Sequence, residues 1–336
     1  MLKKIHGSLV GAAAGDAMGA ATEIRTRQQI EEFFGGYVTD FYKPPKDTFA
    51  RGNEPGQVTD DFSVAYIACK EIVANKGTIN EEIATEALLK WASIDKYFNR
   101  FAGPTTRASI AKIQGTEVLP ADGFVPVNQN SQATNGAAMK SAPFALFSFG
   151  DVDKAIDDAI TMCKVTHPNN NALAGAAAVA AATAKALQED SNFFDVIKAG
   201  IYGARKGNEI GLKVAHPVAA CNIEKKIKLA VGIGLMSDSL SDAIDEISDV
   251  IGSGLSAAEA VPAAFGLMVA AGGDTVKAIE AAVNIGDDTD TVAIMIGGIL
   301  GALNGIDSMP SDWTKLIDSA NEFELEKLAQ EILDLR

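Results

Sequence analysis

Gly7, Gly11, Gly15 and Gly19 recur at every fourth position near the start of the chain. Ile5, Leu9, Ala12 and Asp16 fall on a neighbouring face of the same helical pattern. Glycine inside a helix costs about 1 kcal/mol relative to alanine. Four in register therefore predict a second backbone packed closely against them. Helical spacing continues along the chain, and 47% of its 336 residues are hydrophobic, enough for a sizeable core. Helices are expected at 61–75, 79–93, 105–114, 136–147, 153–163, 172–188, 193–206, 224–231, 240–251, 257–271, 275–285 and 291–303, and at 310–334 with a break. Strand signals are weak. Residues 37–42 form one short candidate, and no strand–helix alternation follows. No repeat of fixed period is present. Two irregular stretches, 43–58 and 115–135, are rich in Gly, Pro, Asn and Asp. Loops this long are often functional, and motif residues follow each directly. The expectation is an all-α fold, a single compact multi-helix domain spanning 1–336.

Twenty-nine Lys and Arg stand against 44 Asp and Glu, a net charge of −15. That balance argues against a nucleic-acid binder, which needs a basic patch, and against docking on anionic membranes. Part of the acid excess is consistent with bound cations. Cys69, Cys163 and Cys221 lie far apart, without zinc-like spacing. Each is expected to be a buried free thiol in an apolar helix. The N-terminus resembles a signal n-region, but Asp16 breaks the apolar run. The longest apolar run, 292–303, is too short for a bilayer. A cytoplasmic protein is expected.

Thr59-Asp60-Asp61 follows the turn pair Pro55-Gly56 and precedes Val64, Ala65, Ile67 and Ala68, which places it at a helix start. Alone it reads as an N-cap with acids favoured by the helix dipole. Gly286-Asp287-Asp288-Thr289-Asp290-Thr291 heads a second apolar run. One capping residue suffices for a helix, and like charges this close repel. Burial would raise their pKa values unless a cation sits among them. Hard oxygen donors without His or Cys suit Mg²⁺, Mn²⁺ or Ca²⁺. If the two helix starts face each other, they carry donors enough for two ions, which lie about 3.5–4 Å apart in two-metal enzymes. A third element is Gly15-Asp16-Ala17-Met18-Gly19, followed by Glu23. Asp16 reads as a hydrogen-bonded core acid or a surface acid, and Glu23 alone as any solvated glutamate.

Together these segments resemble the motifs of the ADP-ribosylglycohydrolases. Asn135-Gly136-Ala137-Ala138-Met139-Lys140 and Thr166-His167-Pro168 resemble two more, and the five stand in family order up to Gly305. The resemblance implies an all-α fold with a central cleft holding two Mg²⁺ or Mn²⁺ ions. The matching metal ligands are Thr59, Asp60 and Asp61 from one helix start and Asp288, Asp290 and Thr291 from the other. Glu23 matches an acid that approaches the substrate ribose. Glu23 and Asp61 are the implied catalytic carboxylates. Thr134, Asn135, Gly136 and His167 are the implied substrate contacts, although His167 reads equally well as a core or capping histidine. The implied chemistry is hydrolysis at the anomeric carbon of ADP-ribose, with no organic cofactor.

Four positions depart from the family pattern. Phe62 stands where Thr-Asp-Asp-Thr has its last hydroxyl. Asp287 adds a charge to the second motif. In the 132–140 segment, Thr134 replaces a glycine and Lys140 an arginine. A β-branched Thr134 restricts the backbone, and lysine lacks the bidentate fork of arginine. The acids for metals are thus present while recognition of a diphosphate is altered. The leading expectation is a divalent-metal-dependent hydrolase acting on an ADP-ribosyl group of a protein or small acceptor. A metal-dependent N-glycosidase of a smaller ribosyl compound such as a nucleoside is an alternative. A catalytically inactive binding or structural relative is another.

Overall fold

The glycine strip does meet a backbone. A methyl group at Gly7, Gly11, Gly15 or Gly19 would collide with the main chain of Gly301, Gly297, Ala293 or Asp290 respectively. The first helix, Leu2–Gly19, therefore runs antiparallel to Thr289–Asn304, with Gly297 and Gly301 returning the close approach from the other side. Leu2–Gly19 leads its C-terminus, and Thr289–Asn304 its N-terminus, to the same end of the molecule. That pair positions the site.

The computed structural model describes residues 1–117 and 129–336. Its α-helices are, in order, Leu2–Gly19, Arg27–Phe34, Asp60–Ala74, Glu81–Ala92, Asp95–Phe101, Pro104–Gln114, Ser141–Ala145, Val152–Lys164, Asn170–Leu187, Phe193–Val214, Ile223–Met236, Leu240–Val250, Ala257–Ala270, Thr275–Val283, Thr289–Asn304, Trp313–Asn321 and Leu325–Leu333. No strand occurs among the described residues, and the architecture is all-α. Asn170–Leu187 is buried along almost its whole length, as expected of a helix that is apolar all round. It packs against Phe193–Val214, Val152–Lys164, Thr289–Asn304 and Ala257–Ala270. Amphipathic helices such as Leu240–Val250 and Leu325–Leu333 cover the outside. No helix among the described residues is long and apolar enough to cross a membrane.

Several local expectations need correction. Residues 37–42 are not a strand: the Val38 N–H and carbonyl bond to the side chain of Asn284, at 2.9 and 2.8 Å, instead of a neighbouring chain. The expected helix over 136–147 is broken into the 3-10 turn Asn135–Ala137, the short helix Ser141–Ala145 and the 3-10 turn Leu146–Ser148. Pro143 lacks an N–H there, and Phe149 ends the segment at φ 51°. Helix 193–206 continues to Val214. Arg27–Phe34 and Asp95–Phe101 form two further helices. Cys69 and Cys163 are buried free thiols, but Cys221 is exposed in a loop. Of the irregular stretch 115–135, residues 118–128 lie outside the described residues.

Candidate active site

Asp16 is fully buried one turn before the end of the first helix. Its two carboxylate oxygens accept the Thr59 N–H at 3.0 Å each, and one also accepts the Phe62 N–H at 2.9 Å. The Thr59 hydroxyl accepts the Asp61 N–H at 3.2 Å. The Asp61 and Phe62 N–H groups of Asp60–Ala74 thus find partners in Thr59 and Asp16, which leaves the Asp61 carboxylate free of capping duty. Phe62 faces the core, its ring 5.9 Å from Phe323 and 6.3 Å from Tyr66. The missing family hydroxyl at that position therefore takes nothing from the cleft.

At the second helix start, Asp288 occupies the N-cap position of Thr289–Asn304 yet makes no capping hydrogen bond. It instead accepts from the Asn135 side-chain amide at 2.6 Å. The Thr289 hydroxyl turns away and donates to the Gly19 carbonyl at 2.9 Å, tying the two helices together. The Thr291 hydroxyl donates to Asp61 at 2.7 Å, joining the two acidic motifs. Asp287 points outward and is exposed.

Glu23 lies just beyond the first helix. The Arg25 guanidinium donates to its carbonyl at 3.2 Å and to the Asp47 carboxylate at 2.6 Å. The Ile24 N–H donates to the Asp287 carbonyl and the Asp287 N–H to the Arg25 carbonyl, each at 2.8 Å. Ile24 and Asp287 hold φ of 64° and 60°, a strained region for a β-branched residue. This clamp brings the Glu23, Asp288 and Asp290 carboxylates within 4.8 Å of one another. Asp60 and Asp61 line the same cleft outside that tight group.

Burial and mutual repulsion push these acids up. Asp16 and Asp60 reach about 7, chiefly through burial. Glu23 reaches about 9, through burial and then the charges of Asp288, Asp60, Asp16 and Asp287. Asp61 and Asp290 lie well above the usual carboxylate range, from burial first. Such a group of oxygen donors fits a hard divalent cation, which would offset the repulsion.

The cleft has a volume of about 320 Å³. It brings together Glu23, Thr59, Asp60, Asp61, Thr134, Asn135, Gly136, His167, Asp288, Asp290 and Thr291, every candidate named from the sequence. The Asn135 N–H bonds the Leu255 carbonyl at 2.9 Å, which holds the 133–136 segment against the 253–257 turn. His167 is buried and neutral, its pKa pushed down to about 3 by burial and then the Lys140 charge.

Lys140 does not face the cleft. It is buried behind the wall, its ammonium donating to the Thr166 hydroxyl at 2.8 Å. The expectation that it replaces a phosphate-facing guanidinium is corrected accordingly. Among the described residues, Arg100 is the cation that reaches the cleft wall, stacked 4.7 Å over Phe101 and bonded to the Arg51 carbonyl at 2.6 Å. Sequence reasoning missed Phe49 and Leu255, apolar lining residues that are 59% and 68% exposed. The length of the 43–58 loop was the one signal for Phe49.

A family model described as ADP-ribosylglycohydrolase matches residues 1–336, and the chain belongs to that family of glycosidic hydrolases. The uncharacterised protein YegU of Escherichia coli strain K12 is 28% identical over 99% of this chain and 97% of its own. The ADP-ribosyl-(dinitrogen reductase) glycohydrolase of Rhodospirillum rubrum is 25% identical over 98% of this chain and 95% of its own. ADP-ribosylhydrolase ARH3 of Homo sapiens is 22% identical over 98% and 93%. A solved structure titled ADP-ribosylglycohydrolase-related protein complex has the same fold, with a TM-score of 0.69 at 20% identity, covering 99% of this chain and 98% of that one.

Proposed function

We propose that this chain, acting as one unit over 1–336, is a divalent-metal-dependent hydrolase that cleaves the glycosidic bond of an ADP-ribosyl group on a protein or small acceptor. The observation that carries this is the convergence of Glu23, Asp288 and Asp290, with Asp60 and Asp61 beside them, in one cleft. Thr59, Asp60, Asp61, Asp288, Asp290 and Thr291 would hold two Mg²⁺ or Mn²⁺ ions. Bound there, the ions would supply charge compensation and polarisation of ribose oxygens. Glu23 and Asp61 exchange protons with the attacking water and the leaving group, as general base and acid. Asn135 and Asp16 keep the two acidic motifs in place. Thr134, Gly136 and His167, which line the same cleft, bound the substrate. The free thiols of Cys69, Cys163 and Cys221 support a reducing, cytoplasmic setting.

A second reading keeps the acids and shrinks the substrate to a simple riboside. The inward turn of Lys140 favours it, because the 132–140 segment then offers no cation to a diphosphate. One screen tests both. Release of ADP-ribose or ribose is followed from ADP-ribosyl-arginine, ADP-ribosyl-serine and simple ribosides, with Mg²⁺, Mn²⁺ or a chelator. Metal-dependent release from an ADP-ribosylated acceptor supports the first reading. A riboside within a hundredfold in kcat/KM, about 2.7 kcal/mol, supports the second. Metal-independent release would sink the metal assignment. Glu23→Gln should cut turnover by roughly 10²–10⁴ with little change in melting temperature.

A further inference from the structure

We propose that Lys140, acting through Thr166 and His167, fixes the hydroxyl of Thr134 as a hydrogen-bond donor into the cleft, aimed at an acceptor oxygen of the substrate. The inference rests on the substrate entering this cleft, as proposed above. Four polar groups form one line from the interior to the cleft wall. The Lys140 ammonium lies 2.8 Å from the Thr166 hydroxyl. That hydroxyl lies 2.8 Å from His167 Nδ1, and His167 Nε2 lies 3.0 Å from the Thr134 hydroxyl. Thr134 is half-buried and lines the cleft.

Proton bookkeeping gives this line a direction. Burial lowers the Lys140 pKa, and Nζ is the donor of its bond to Thr166, so the Thr166 oxygen accepts from Lys140. The one proton on Thr166 then has two acceptors within reach, His167 Nδ1 at 2.8 Å and the Cys163 carbonyl at 3.3 Å. The Cys163 carbonyl already accepts the Thr166 and His167 N–H groups, at 3.1 and 2.9 Å. Its lone pairs are taken, so the hydroxyl proton goes to the nearer Nδ1. Burial keeps the imidazole neutral, with a pKa pushed down to about 3. A neutral ring that accepts at Nδ1 carries its proton on Nε2. Nε2 therefore donates to Thr134, whose own proton has no other partner among the described residues and is offered to the cleft. With the opposite tautomer, Thr134 would present lone pairs and recognise a donor instead.

Lys140 is on this view a positioning residue, and the substitution of threonine for the family glycine gains a purpose. The lost backbone access is replaced by a hydroxyl of fixed polarity.

The test has a spectroscopic arm and a kinetic arm. Long-range ¹H–¹⁵N spectra of histidine-labelled protein, assigned with His6→Gln and His216→Gln, report which nitrogen of His167 carries the proton. The Nε2–H tautomer is expected in the unaltered protein. In Lys140→Met, a part or all of the population should move to Nδ1–H. An Nδ1–H ring in the unaltered protein overturns the proposal whether or not any variant folds. So does a tautomer indifferent to Lys140→Met. In the kinetic arm, on the best substrate of the screen, Thr134→Val should raise KM about tenfold, the scale of one well-made hydrogen bond, and more than it lowers kcat. Lys140→Met should raise KM in the presence of Thr134 and add nothing to Thr134→Val. Full additivity, or an unchanged KM in Thr134→Val, overturns the proposal. A protein inactive on every ribosyl substrate would instead defeat the proposed function, and the spectra would still decide the tautomer.

Discussion

Asp16 shows how much one residue can decide. Its carboxylate takes backbone N–H groups from Thr59 and Phe62, a helix start belonging to a distant part of the chain. Asn has one acceptor oxygen and would turn an NH₂ toward one of those donors. Asp16→Asn should therefore destabilise the protein by about 1–3 kcal/mol in chemical denaturation. It should also weaken Mg²⁺ or Mn²⁺ binding in calorimetry, although Asp16 itself is not among the proposed ligands. Unchanged metal affinity would mean that the 59–61 segment holds its place unaided. From the sequence, Asp16 was readable only as a core acid or a surface acid. The choice depends on Thr59 lying opposite, which no local pattern records. The acids at 60–61 and 288–290 were legible for a different reason: their number exceeds what two helix starts can use. Lys140 was misread because its sequence neighbours, Asn135 and Gly136, do face the cleft, and a single 3-10 turn rotates it away.

Among elements, the pairing of Leu2–Gly19 with Thr289–Asn304 has the least tolerance. A methyl group at Gly297 would overlap the Gly11 carbonyl, and backbone cannot step aside as a side chain can. Gly297→Ala should cost at least about 2 kcal/mol, as overpacking of a tight core does. Because both helices end at the acids, it should also lower metal affinity. Gly232 offers the control. It lies in the helix Ile223–Met236 with nothing near its missing side chain, so Gly232→Ala should stabilise by about 0.5–1 kcal/mol. Equal effects at the two positions in thermal melts would contradict the packing account. The four-residue glycine spacing announced a close partner without naming it. The helix over 136–147 failed because a small apolar run buried on every side has no periodicity to betray its breaks. Arg27–Phe34 was missed despite a capping box, Thr26 with Gln29, since a helix that short carries little apolar pattern.

For the whole molecule, a net charge of −15 is partly concentrated in one cleft. In the metal-free protein Asp16 and Asp60 are held near 7 and Glu23 near 9, above their ordinary 3.8, 3.8 and 4.5. The folded state thus binds these protons more tightly than the unfolded chain does. Their contribution to stability is complete below the ordinary values and is lost as pH rises through the raised ones. Metal-free protein should accordingly melt at progressively lower temperature from pH 5 to pH 9. Mg²⁺ or Mn²⁺ should restore more at pH 8 than at pH 5, because there the cations meet charged ligands. A melting temperature that is flat over this range without metal would contradict the electrostatic picture.

The bond from Thr289 to Gly19 joins residues 270 positions apart, and that distance is also an interval of time. A ribosome adding roughly 5–20 residues per second leaves the first helix waiting about a quarter of a minute to a minute for its partner. Throughout that interval Gly7, Gly11 and Gly15 present a strip of bare backbone, and Asp16 sits beside it without its full set of neighbours. The nascent chain therefore carries an adhesive surface with no activity to show for it. A product released before residue 288 would keep the first strip and lack Asp288 and Asp290, half of the proposed carboxylate ligands. Such fragments belong to chaperones and proteases, and hydrolysis begins only when the late helix arrives.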